Sequence, residues 1–146
     1  MNLPNQLHAF KLDQRGVARV FGELEAGVME VVWSLGEVRV ADVCERLGDG
    51  ANYKTVMTVM NRLVEKHALV RTREQRAFVY SPVETRSAFM QRVSRQVVQS
   101  LVQDFGDLAL AQFVDAVDAV DRFDPVLLER LEKLVRERSV PEDVGA

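Results

Sequence analysis

Residues 52–63 read "NYKTVMTVMNRL". The stretch has no acidic residue, although the chain carries a net charge of −3. At about 100° per residue, Tyr53, Val56, Met57, Val59, Met60, Leu63 and Val64 fall on one broad arc. Lys54, Thr55, Thr58, Asn61, Arg62 and Glu65 fall on the other. The separation predicts an amphipathic helix with one face for a core. Its polar face is not the usual Glu/Lys mixture of a solvated helix. It is cationic and rich in short hydrogen-bonding groups until Glu65.

The flanks are read from this helix outward. Upstream, "FGELEAGVMEVVWSLGEVRVADVCERLGDG" (21–50) places Leu24, Val28, Val31, Val32 and Leu35 at helical spacing, with Gly36 as a stop. A second short helix fits 40–47, burying Val40, Val43 and Leu47. "GDGAN" (48–52) is a loop with two glycines. Residues 1–20 show no strong pattern and read as an N-terminal arm. Downstream the period changes after His67. "ALVRTREQRAFVYSP" predicts two short strands, 69–73 and 77–81, joined by a turn near "EQR" and ended by Pro82. Val70 and Thr72 alternate with Arg71 and Arg73, and Phe78 and Tyr80 alternate with Val79. The remainder is helical. In 84–105, Phe89, Val93, Val97, Leu101 and Phe105 form a stripe of period four, broken by Gly106. An acidic helix containing "VDAVDAVD" follows. The last helix takes Asp124 as N-cap and Pro125 as its first residue. Leu127, Leu128, Leu131, Leu134 and Val135 form its stripe, and Arg136 and Arg138 lie where the helix dipole favours cations.

The chain has 146 residues, 47% of them hydrophobic and 28% charged, a balance that supports a core and excludes a disordered chain. No apolar run is long enough to span a bilayer, and the N-terminus lacks the apolar segment of a secretory signal. A cytoplasmic protein is expected. Cys44 is the single cysteine, so no internal disulfide and no thiolate metal cluster can form. It sits on the apolar side of its helix and reads as a buried thiol rather than a redox switch. His8 and His67 are far apart and offer no metal site. Trp33 reads as core. Glu23 and Glu25 point to opposite sides of a helix and make no catalytic pair. "GDGAN" lacks the lysine of a phosphate loop. No catalytic, cofactor or metal site is expected, and no enzyme.

Charge is distributed unevenly. Residues 52–80 carry six Lys/Arg against two Glu, whereas 101–146 carry five against eleven Asp/Glu. A basic segment inside an acidic chain suggests a local surface for anions. Three helices followed by a two-stranded hairpin is the order of a winged helix–turn–helix domain. In such folds the third helix enters the DNA major groove and the hairpin wing lies along the backbone. Thr and Asn suit base edges there, and Lys and Arg suit phosphates or guanine. The DNA-binding candidates are therefore Tyr53, Lys54, Thr55, Thr58, Asn61 and Arg62 on the helix, with Arg71, Arg73 and Arg76 on the wing. A winged helix serving protein contacts, with solvated arginines, remains open.

The chain also resembles the penicillinase repressor family of winged-helix transcriptional regulators. The resemblance is carried by "FGELEAGVMEVVW" (21–33), "YKTVMTVMNRLVEKHALV" (53–70) and "RAFVYSPV" (76–83), and spans about 20–138. It implies a mainly α protein with a small β-hairpin wing: an arm at 1–20, a winged-helix DNA-binding domain at 21–83, a helical dimerisation domain at 84–140, and a tail at 141–146. It implies a homodimer that represses by binding a pseudo-palindromic, double-stranded operator. Lys54, Thr55, Thr58 and Arg62 match the family's DNA-facing helix positions. The dimerisation candidates are Phe89, Val93, Val97, Leu101, Phe105, Leu127, Leu128, Leu131 and Leu134. Copper-responsive members carry paired Cys–x–Cys motifs near the C-terminus, and "PEDVGA" has none. Beta-lactam-responsive members lose their arm to a membrane-bound sensor metalloprotease at an Asn–Phe bond. The nearest match here is Gln112–Phe113. Two other functions stay open: a ligand-sensing winged-helix regulator with a pocket between its C-terminal helices, and a protein-interaction module without DNA.

Overall fold

The computed structural model describes residues 9–122 and 125–139. His8, the Asp124 cap and the tail at 141–146 lie outside the described residues. A 3-10 turn, Gly16–Arg19, leads into helix α1 (Glu23–Leu35), α2 (Val40–Leu47) and α3 (Tyr53–Glu65). Strands β1 (Leu69–Glu74) and β2 (Ala77–Pro82) form an antiparallel hairpin. Helices α4 (Arg86–Phe105), α5 (Asp107–Asp121) and α6 (Val126–Arg138) complete the order. This is a winged helix–turn–helix followed by helices. The chain packs as two units, dividing within α4 after Val97.

The first unit has one core. Val28, Met29 and Val32 of α1, Val43 of α2, and Val56, Met60 and Leu63 of α3 are almost fully buried in it. Three helices each bury one stripe against the others, because none can bury its apolar face alone. The α1 stripe is shorter than expected. Leu24 and Leu35 lie in its first and last turns, where neighbouring elements no longer cover them, and both are exposed. Residues near the expected arm also join this core: Val17 is buried in the 3-10 turn, and Phe21 stacks on Phe89 at 5.5 Å.

The wing starts and ends with the core. Leu69 is buried at the head of β1, whereas the rest of that strand is exposed. The strands pair Glu74 with Ala77, which leaves a two-residue turn of Gln75 and Arg76. Gln75 takes φ 54°, a conformation that such turns need and that glycine adopts most easily. The expected alternation fails in β2, where Val79 and Tyr80 are both buried. Tyr80 has a second backbone neighbour. Its amide donates to Val38 oxygen at 2.7 Å, and the Val38 amide donates to Tyr80 oxygen at 2.9 Å. The segment between α1 and α2 thus adds a one-residue third strand to the wing.

Two helix starts differ from expectation. Helix α4 begins at Arg86 rather than 84, because the Thr85 hydroxyl accepts from the Ala88 amide at 3.1 Å and caps it. Pro125 precedes α6 as its cap position rather than serving as its first residue. Phe89 and Val93 of α4 are buried in the first unit's core, with Val97 packed at its margin. Trp33 packs its ring against Phe89 at 5.1 Å, and its Nε1 donates to Glu84 oxygen. Phe89 and Val93 are thereby corrected from dimer stripe to domain core. Cys44 is half-buried beside that core.

In the second unit α5 packs with α6. Val117 is the buried residue among those described there. Leu101, Val102, Phe105, Leu108, Leu110 and Phe113 are each exposed. An apolar groove of about 420 Å³ runs along this unit, lined by Leu101, Phe105, Leu108, Gln112 and Phe113 among others. Among the described residues, no helix is long and apolar enough to cross a membrane.

Candidate nucleic-acid interface

Helix α3 is held at both ends. Asn52 caps its start, its side-chain oxygen accepting from the Thr55 amide at 3.2 Å. Val56, Val59, Met60 and Leu63 anchor the inner face in the core. On the outer face Lys54, Thr55, Thr58 and Arg62 are all exposed, and Tyr53 stands 56% exposed at the helix start. The Thr58 hydroxyl donates to Lys54 oxygen at 2.9 Å, which leaves its lone pairs and methyl group for a partner. Lys54 has no ion-pair partner among the described residues.

The far end of α3 is tied to α1 through an acid. Glu25 is 7% exposed, and Lys66 Nζ lies 2.8 and 3.1 Å from its two oxygens. Arg62 Nη1 stands 3.7 Å from the same carboxylate. Sequence reasoning placed Glu25 away from Glu23 but missed this role. The signal was there: residues 25, 28, 29 and 32 share one helical face, so an acid at 25 falls among core positions and requires a cation. A cleft of about 550 Å³ opens between the start of α1 and α3, with Leu24, Lys54, Thr58 and Arg62 among its walls.

The wing presents Arg71, Arg73 and Arg76, all exposed. Arg71 lies over the Phe78 ring at 4.3 Å and Arg73 at 5.9 Å, a cation–π contact that keeps both guanidinium groups against the hairpin. Arg76 occupies the turn at the tip. Asn61 departs from the expected pattern. It is half-buried, and its side-chain oxygen accepts from Arg71 Nη1 at 2.9 Å and from the Tyr80 hydroxyl at 2.7 Å. Its acceptor is thus occupied within the protein.

The fold therefore brings eight of the nine sequence candidates, Tyr53, Lys54, Thr55, Thr58, Arg62, Arg71, Arg73 and Arg76, onto exposed positions of two adjoining elements, with Asn61 turned inward. Of the dimerisation candidates, Leu101, Phe105 and Leu134 are exposed, and Leu127, Leu128 and Leu131 are half-buried. Gln112 and Phe113 are exposed within α5.

A winged helix with a cationic third helix defines a class of transcriptional regulators. The chain matches the penicillinase repressor family over residues 21–137, and it belongs to that family, which consists of transcriptional regulators rather than enzymes. It is 38% identical over 105 residues to the transcriptional regulator BlaI of Mycobacterium tuberculosis, covering 67% of this chain and 74% of that protein. It is 30% identical over 93 residues to the penicillinase repressor of Bacillus licheniformis, covering 57% and 73%. Among solved structures, the monomeric form of Bacillus licheniformis BlaI in complex with the blaP half-operator is 32% identical, with a TM-score of 0.40 over 46% of this chain and 84% of that one.

Proposed function

We propose that this chain is a cytoplasmic, homodimeric repressor that inserts α3 into the major groove of a pseudo-palindromic operator. The observation that carries this reading is the exposed set Lys54, Thr55, Thr58 and Arg62, on a helix whose opposite face is fixed in the core. A major groove admits one helix, and these side chains offer donors and a methyl group to base edges. Arg71, Arg73 and Arg76 on the wing neutralise phosphates beside it and add salt-dependent affinity. Two copies of α3 meet one face of the duplex about 34 Å apart, or a multiple of that spacing.

The dimer rests on the second unit. Leu101, Val102, Phe105, Leu108 and Phe113 expose apolar surface that a lone chain leaves in water. Net negative charge in this arm keeps it off DNA. Cutting the arm, by a membrane-bound sensor metalloprotease or another protease, separates the half-sites and relieves repression. The Gln112–Phe113 bond lies inside α5, so cleavage there proceeds through local opening of that helix.

Mobility shift on upstream-region duplexes tests DNA binding, and no shift on any genomic fragment refutes it in favour of a protein-interaction module. Truncation after Gln112 tests the arm. Sedimentation at micromolar concentration should show mainly monomer, with operator affinity sharply reduced because the second half-site loses its effective concentration. A truncated chain that stays dimeric and binds as tightly refutes the role of the arm. The apolar groove favours a second reading, a ligand-sensing regulator. A small apolar molecule that raises the melting temperature and releases DNA supports it.

A further inference from the structure

We propose that Asn61 is a positioning residue, the clasp that fixes the wing to the recognition helix, and not a reader of bases. The inference rests on the docking of α3 and the wing proposed above. Its carboxamide oxygen has two lone pairs, and both are used, by Arg71 Nη1 and the Tyr80 hydroxyl. The assignment of oxygen and nitrogen is not arbitrary. A guanidinium only donates, so the atom facing Arg71 must be the oxygen. Bidentate recognition of adenine needs a free acceptor as well as a donor, and Asn61 has only its amide hydrogens left.

The two donors come from one rung of the hairpin. Arg71 and Tyr80 are directly opposed across the two strands, and directly opposed side chains share a face. Asn61 therefore grips the wing from both strands at once. The same rung is tied to the segment between α1 and α2 by the Val38–Tyr80 backbone pair. Tyr80 is 1% exposed, so its hydroxyl depends on Asn61 for a partner. Arg71 keeps further guanidinium donors for a phosphate, while one is spent on Asn61 and the Phe78 ring supports its plane. The distance between the wing arginines and α3 is thus set before DNA arrives, and the ordering cost is not met at binding.

The test uses a property that an uncharged base reader does not alter. Binding of the full-length chain to a random-sequence duplex is measured against salt for wild type, Asn61→Ala, Arg71→Ala and the double variant. Asn61→Ala should lower the salt slope by about one unit, although it removes no charge, because Arg71 loses its fixed place beside the backbone. The double variant should lose no more than Arg71→Ala alone. Without DNA, amide exchange in the hairpin should speed up about tenfold in Asn61→Ala and in Arg71→Ala, whose exposed side chain can be removed without touching the core. Asn61→Asp keeps two acceptor oxygens for both donors, and should leave hairpin exchange as in wild type. An unchanged salt slope, unchanged hairpin exchange, or a loss confined to one base position in selected sites overturns the clasp. Wild type that binds no duplex at any salt overturns the docking reading, and the DNA role of Asn61 falls with it.

Discussion

Replacing Lys66 with Met removes a cation from a buried acid and keeps most of the side-chain stem. Lys66 Nζ bonds both oxygens of Glu25, at 2.8 and 3.1 Å. The Glu25 side chain is 9% exposed, whereas that of Lys66 is 47% exposed. Removing one partner of a fully buried pair costs about 3–5 kcal/mol, and an exposed pair contributes about 0–1. This pair lies between those limits. Arg62 at 3.7 Å and the water around Lys66 partly compensate, so the expected loss is about 1–2 kcal/mol. For a unit of this size that lowers the melting temperature by roughly 5–15 °C. Trp33, the single tryptophan, lies against Phe89 and reports unfolding of the first unit in urea. Glu25→Met should itself stay within about 1 kcal/mol of wild type, since an apolar group of similar volume replaces a buried charge. With Glu25 gone, Lys66→Met should cost almost nothing. If Lys66→Met destabilises equally in both backgrounds, its contribution is to the end of α3 through the helix dipole, and the argument from a buried acid is wrong.

Arg62→Ala should weaken operator binding by about 1–3 kcal/mol in a folded dimer, with the loss largest at one base position, read by mobility shift on single-base operator variants. Arg76→Ala should weaken specific and random duplexes alike and lower the salt slope by roughly one unit, measured by binding titrations across salt. Phe89→Ala should cost about 3–5 kcal/mol in urea unfolding of the first unit, from its stacked place between Phe21 and Trp33. Sedimentation of the same variant, below its unfolding midpoint, should show the oligomeric state of wild type.

The order of elements was legible because each helix of the first unit carries a clear apolar stripe and the period changes sharply after His67. The strand ends and α1 to α3 fall within a residue or two of expectation. What was not legible depends on contacts between segments distant in sequence. A period-four stripe from Phe89 to Phe105 looks uniform, yet Phe89 and Val93 are buried in the first unit's core while Leu101 and Phe105 are exposed. Only the packing of Trp33 and Phe21 decides where that stripe changes partner. Tyr80 likewise pairs its backbone with Val38, a contact that no local pattern announces. On α3, helical geometry sorted inner from outer residues except at Tyr53, which it placed on the apolar arc and which is exposed. It did not reveal that Asn61, on the polar arc, lies within reach of Tyr80 and Arg71.

The division of labour on α3 also bears on how such a regulator changes its targets. Val56, Met60 and Leu63 hold the helix in the core, and Asn61 and Lys66 tie it to the wing and to α1. Lys54, Thr55 and Thr58 contribute nothing to that frame beyond the helix itself, and Arg62 little. Exposed substitutions of this kind cost only a few tenths of a kcal/mol in stability. On the docking proposed above, operator preference can therefore drift by successive single substitutions, each leaving a folded protein, and a gene duplicate can acquire a new regulon without passing through an unfolded intermediate. A combinatorial library at those four positions should be mostly folded, and its members should differ chiefly in the sequences they retain.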